Sequence, residues 1–173
     1  GRLSTVHRWA GATVWTEERL FKAPGDYDAL IELVGSRRFV PTFEQFLSDD
    51  RRFGESGLAR PAPLRTPMYE IMYELLGIET FSVEMVDNPE RIDELYRALL
   101  AKRREELAIV AASPARIAIV EGNISFDVVG PERFEKYYFP AIEEACALCR
   151  GRGILTGAHL DGNNRHLAPY VGR

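Results

Sequence analysis

Gly153-Ile-Leu-Thr-Gly-Ala-His159-Leu-Asp161-Gly-Asn163-Asn164-Arg165 is the stretch on which the fold turns. Its apolar run, 153–158, delivers an imidazole, a carboxylate, a glycine and an amide in quick succession, and a helix-like segment, Arg165–Val171, follows. Such an order reads as a strand, 154–159, whose C-terminal end opens into a loop and a helix. Parallel α/β folds carry their ligand chemistry at that point. Side chains alternate along a strand, so His159 and Asp161, at i and i+2, point to one face and reach one metal ion or one substrate oxygen.

Upstream, Ile117–Val120 is a β-branched run of the kind a parallel strand buried on both faces uses, and Glu121-Gly122-Asn123 follows at its end. Between the two runs, Gly130-Pro131-Glu132 opens a helix with Phe134, Tyr138, Ala141, Ala145 and Leu148 on one side. Pro140 should kink that helix, and Gly151 and Gly153 end it. Before the first run, Asp87-Asn88-Pro89-Glu90 starts a long amphipathic helix, 89 to about 112, with Ile92, Leu95, Tyr96, Leu99, Leu107 and Val110 at helical spacing. Ser113-Pro114 stops it. The order helix, strand, helix, strand, helix over 89–171 is a βαβ unit.

The N-terminal half reads less sharply. Thr13–Arg19 is a strand or loop, Pro24-Gly25-Asp26 is a turn, and Tyr27–Val34 is a short helix. Phe43, Phe46 and Leu47 predict a second helix from Pro41 to about Phe53. Gly54–Pro63 is rich in breakers, with a short strand near Leu58. Thr66-Pro67 starts a further helix that Gly77 closes. Met68, Met72 and Tyr73 form its core face, and Trp9 and Trp15 are expected in the core.

With 173 residues the chain reads as one domain, 1–173. A net charge of −4 argues against a nucleic-acid partner, and the pairs Arg37-Arg38, Arg51-Arg52 and Lys102-Arg103-Arg104 read as solvated faces. No apolar run approaches the roughly 18 residues that span a bilayer, so no membrane association is expected. No signal peptide is visible and the two cysteines make no disulfide framework, which points to the cytoplasm. Cys146 and Cys149 have redox spacing but lie far along a helix, so buried packing is the better reading. A closed eight-unit barrel needs about 250 residues, so this chain is expected to supply only part of a (β/α)8 barrel of TIM type. It lacks an initiator Met and stops just after a strand, as a cut segment would.

Three pieces, in this order and spacing, resemble the uroporphyrinogen decarboxylase superfamily. They are Pro67–Gly77 followed by Asp87-Asn88-Pro89-Glu90, then Glu121-Gly-Asn123 followed by Pro131-Glu-Arg-Phe134 and Pro140, then His159-Leu-Asp161-Gly162-Asn163. The resemblance implies a (β/α)8 barrel, of which this chain is the middle. The corrinoid-dependent methyltransferases look closer than the decarboxylase itself, because no Arg-rich loop for tetrapyrrole carboxylates is visible. Members of that branch hold zinc through a His-x-Cys pair and a later Cys. His159 matches the His, and Asp161 stands at the Cys position. The resemblance therefore implies a zinc ion on His159 and Asp161, a third ligand beyond residue 173, and a methyl group arriving from a methylcorrinoid partner protein for transfer to a thiol-type acceptor. Carboxylate oxygen is an acceptable zinc ligand, although the site becomes harder than one built on thiolate.

Glu121 and Asp161 are the candidate catalytic groups, and Asn123, Asp127 and Asn163 are candidate substrate contacts. Each has a plainer reading: a rim ion pair for Glu121, a loop role for Asp127, a helix cap for Asn163, and a structural His–carboxylate hydrogen bond for His159 and Asp161. Two other functions compete with methyl transfer. One is decarboxylation of a tetrapyrrole such as uroporphyrinogen, run by protonation and charge complementarity without metal. The other is an inactive barrel fragment, which a homodimer would shield at its open edges.

Overall fold

The structure is a computed structural model that describes residues 2–170, apart from the side chains at 121–123 and 126. It divides into two compact units: the chain up to Arg37 with Met68–Lys102, and Arg38–Pro67 with the chain from Arg103 onward.

In the first unit, β1 (Val6–Ala10) and β2 (Thr13–Glu18) form an antiparallel hairpin. Gly11, at φ 62°, takes the left-handed conformation in the tight connection. A short 3₁₀ turn, Pro24–Asp26, leads into α1 (Tyr27–Gly35). The Asp26 carboxylate accepts from the backbone N–H groups of Lys22 (2.8 Å) and Ala23 (3.0 Å), which ties this turn. Further on, α3 (Pro67–Tyr69) runs into a π-helical segment, Glu70–Leu76, and then α4 (Ile78–Asp87). Gly77 lies between them at φ 85°, a backbone that a side chain would strain. The first part of α5 (Pro89–Ala111) completes the unit. Leu30, Val34, Met68, Ile71, Met72, Phe81, Ile92, Leu95 and Leu99 are buried. Two buried carboxylates are satisfied: Glu70 pairs with Arg37 at 2.5 Å, and Glu84 accepts from Tyr27 Oη and Asn88 Nδ2, each at 2.9 Å.

In the second unit, α2 (Phe43–Phe53) precedes a three-stranded parallel sheet, in the order β3 (Leu64–Arg65), β4 (Ile117–Ile124), β5 (Leu155–Leu160). Ile117 pairs with Leu155 and Val120 with Ala158, while Leu64 pairs with Val120. The β4–β5 crossover contains α6 (Phe126–Val129), α7 (Pro131–Arg133), a π-helical turn at Phe134–Tyr138, and α8 (Phe139–Arg150). Pro140 has no N–H to donate, and the helical register widens just before it, where a kink was expected. Leu64, Ala118, Val120, Leu107, Val110, Ala145, Cys149 and Ile154 form the core cluster.

The barrel expectation is overturned. The described residues form five strands in two separate sheets, one antiparallel and one parallel, and not an eight-fold (β/α) ring. The physical reason lies in the connections. A tight turn makes β1 and β2 partners of each other, and β3 is only two residues long, so among the described residues the parallel sheet holds just three strands joined by two helical crossovers, β3 to β4 and β4 to β5. The sheet is also not buried on both faces: Ala118 and Val120 are buried, Ile117 and Ile119 only half-buried, and Leu155 exposed. Trp9 and Trp15 are not core residues, at 75% and 58% exposure. Leu58 lies outside any strand, and α4 was not anticipated. Arg37 and Arg103 are not merely solvated, because each is partly buried and ion-paired, Arg37 with Glu70 and Arg103 with Glu106.

Candidate functional site

The Ile154–His159 expectation corresponds to β5, displaced by one residue. Asp161 lies just past the strand, yet its backbone N–H still donates to Ile124 O at 3.0 Å, which prolongs the pairing with β4. This keeps the alternation that aims His159 and Asp161 the same way. His159 Nε2 stands 3.9 Å from Asp161 Oδ1. That is too long for a direct hydrogen bond, so the purely structural His–carboxylate bond is not made.

The Asp161 carboxylate is asymmetric. Oδ1 faces the imidazole, whereas Oδ2 is buried and has no hydrogen-bond partner among the described residues. Two donors at zinc-bond distance from a tetrahedral ion lie about 3.4 Å apart. The observed His159 Nε2–Asp161 Oδ1 separation of 3.9 Å is about half an ångström longer, so these two atoms come near to two ligand positions of a zinc ion. Among the described residues no three His, Cys, Asp or Glu side chains come together as a metal-holding group.

The loop after Asp161 is held by its own amides. Gly162, at φ 71°, allows the reversal, and a Cβ there would sit 3.1 Å from Ser125 Oγ. Asn164 Nδ2 donates to Asp161 O at 2.8 Å and reaches Gly162 O at 3.5 Å, while its Oδ1 is buried with no partner among the described residues. Asn163 Oδ1 accepts from the backbone N–H of Arg165 at 3.3 Å, at the start of the 3₁₀ turn Arg165–Tyr170. Asn163 thus performs the local capping role.

Glu121 and Asn123 fall within β4 rather than after it, and their side chains lie outside the described residues. Asp127 is exposed on α6. The residue that sequence reading passed over is Asn164. Its signal was the Asp161-to-Asn164 spacing, which lets an amide fold back on the carbonyl three residues earlier.

Cys149 is fully buried in the last turn of α8. Burial, and then the neighbouring Cys146, pushes its thiol pKa up, opposite to the shift a redox pair uses. Among the described residues no helix is long and apolar enough to cross a membrane.

No protein-family model matches the chain, and no curated protein or solved structure matches it either.

Proposed function

We propose that the chain serves metal-assisted methyl transfer of the kind carried out in the uroporphyrinogen decarboxylase superfamily, between a corrinoid protein and a thiol-type acceptor. The observation that carries the reading is the convergence of His159 Nε2 and Asp161 Oδ1 to 3.9 Å at the C-terminal end of a parallel strand. The motif resemblance at His159-Leu-Asp161-Gly-Asn supplies the chemistry. His159 and Asp161 would hold zinc. When bound, the ion lowers the pKa of a coordinated thiol, so that the acceptor is nucleophilic at neutral pH.

The chain's own residues position that site. The Asp161 N–H bond to Ile124 O fixes the carboxylate relative to β4, and the Asn164 bond to Asp161 O holds the loop closed behind it. The side chains of His159 and Asp161 are 61% and 42% exposed, which leaves room for a partner protein to approach. A tetrapyrrole decarboxylase would instead hold its substrate by cationic groups and bind no zinc.

Elemental analysis of the purified protein beside His159→Ala tests this. Stoichiometric zinc that the variant loses is the expected result. Zinc retained by His159→Ala, or a protein that takes up none when supplied with it, contradicts the reading.

A further inference from the structure

We infer that the second unit holds a separate binding site between α2 and the end of α5, shaped for a neutral molecule built on a single aromatic ring. It does not depend on the metal reading of His159 and Asp161.

The site is a cavity of about 190 Å³, and its lining residues all belong to the second unit. Phe43 and Phe46 of α2 form one wall, Ile109 and Val110 of α5 another, and Phe39 and Pro61 come from the flanking loops. Protein interiors are close-packed, with few voids larger than a water molecule. Here the packing stays open: no residue of α2 is fully buried, and Phe43, Phe46 and Ile109 are only half-buried. The helix is nevertheless held in place. Asp50 near its end accepts from the Ala59 backbone N–H at 3.1 Å and pairs with the Arg116 guanidinium at 3.1 and 3.2 Å, which ties α2 to the chain entering β4. The space beside the phenylalanines is thus built into the unit.

Size and chemistry together select the occupant. An apolar cavity of about 150 Å³ takes one benzene ring, so this one takes a ring with a small substituent. Phe39, Phe43 and Phe46 offer ring edges and faces, which favour an aromatic guest over an aliphatic one. The polar side chains of the lining are Thr42, Glu106 and Ser113. Thr42 is exposed to water. The Glu106 carboxylate is paired with the Arg103 guanidinium. Ser113 Oγ donates to Val110 O at 2.6 Å and accepts from the Ala115 N–H at 3.3 Å. Glu106 therefore repels an anion, while its pairing with Arg103 weakens its pull on a cation. A neutral ring loses least on leaving water for such a site.

The test titrates the full chain with fluorobenzene, para-fluorobenzoate and para-fluorobenzylamine, reading the fluorine resonance of each probe and the melting temperature of the protein. Fluorobenzene should bind with a dissociation constant on the order of 1 mM or tighter and raise the melting temperature as its concentration rises. The two charged probes should bind at least ten-fold more weakly. Ala62→Leu and Ile109→Phe each add atoms to the cavity lining; whichever of them keeps the parent's circular dichroism should lose fluorobenzene binding at least ten-fold. The inference fails if fluorobenzene does not bind, if either charged probe binds as well, or if a folded filling variant binds like the parent. It fails also if the parent sediments as a dimer that the filling variants dissociate, because the cavity would then be a seat for a second copy of the chain.

Discussion

The two sheets of this molecule are made of similar residues and end in opposite situations. β1 and β2 contain Val6, Trp9, Val14 and Trp15, strong strand formers, yet every residue of β1 is exposed and β2 is exposed except at half-buried Thr16. β4 contains Ile117, Ile119 and Val120, and its Ala118 and Val120 side chains are buried with Leu107, Val110, Ala145 and Cys149. What separates them is connection. A hairpin closes through a tight turn and brings no helix with it, whereas a parallel crossover must cover the sheet on its way back. Strand propensity decides where strands form, and the connection decides whether they are buried. The candidate site belongs to the second case, since it sits at the end of a strand backed by a packed face.

The largest effect that would sharpen this contrast is in the parallel sheet. Leu107→Ala is expected to cost about 2–5 kcal/mol in urea denaturation, because it opens a cavity under β4. A loss below about 1 kcal/mol would mean that this face is not a packed core. Next comes the loop at the end of β5. Gly162→Ala forces a side chain into a left-handed backbone, at about 1–2 kcal/mol, and crowds Ser125. It should lower metal affinity and bring the melting temperature down by about 2–4 °C per kcal/mol lost; unaltered metal affinity would disconnect that loop from the site.

Smaller still is the hairpin. Trp9→Ala should change stability by less than about 1 kcal/mol, since only cross-strand pairing with Val14 is lost. The chain's two tryptophans are both in this hairpin, so acrylamide quenching reads it directly and should be near that of a free indole. A strongly protected emission would show that the hairpin is covered and break the comparison.

The smallest effect lies at the start of β4 in the parallel sheet. The Ala59 backbone N–H, and then the Arg116 guanidinium just before β4, hold the Asp50 carboxyl below its usual range. Because the folded value is the depressed one, the stabilisation is present above the ordinary value of 3.8 and is lost as pH falls through the lower folded value. Asp50→Asn should therefore lower the urea midpoint at neutral pH and make it less sensitive to acid below the ordinary value of 3.8. An unchanged acid profile would remove Asp50 from that role.

The long helix, the two runs that become β4 and β5, and the closing glycines were legible because periodicity and punctuation agree there. The 89-to-112 reading matches Pro89–Ala111, and the Pro140 disturbance appears as a π-helical turn. The burial of the strands was not legible: a β-branched run looks the same whether one face or two are covered, and only the positions of the helices decide. Trp9 and Trp15 misled for the same reason, since aromatic content says nothing of what lies opposite. The barrel inference extended one crossover into a ring. At the site, the convergence of His159 and Asp161 follows from strand alternation and was readable. The role of Asn164 was not, because it depends on an amide folding back through a left-handed glycine.

Zinc content of the purified full chain, measured with His159→Ala prepared in parallel, bears most directly on the site. Zinc bound stoichiometrically by the parent and lost by the variant is the outcome expected if His159 and Asp161 hold a metal at the end of β5. Equal zinc in both proteins, or none taken up by the parent when zinc is supplied, would contradict it.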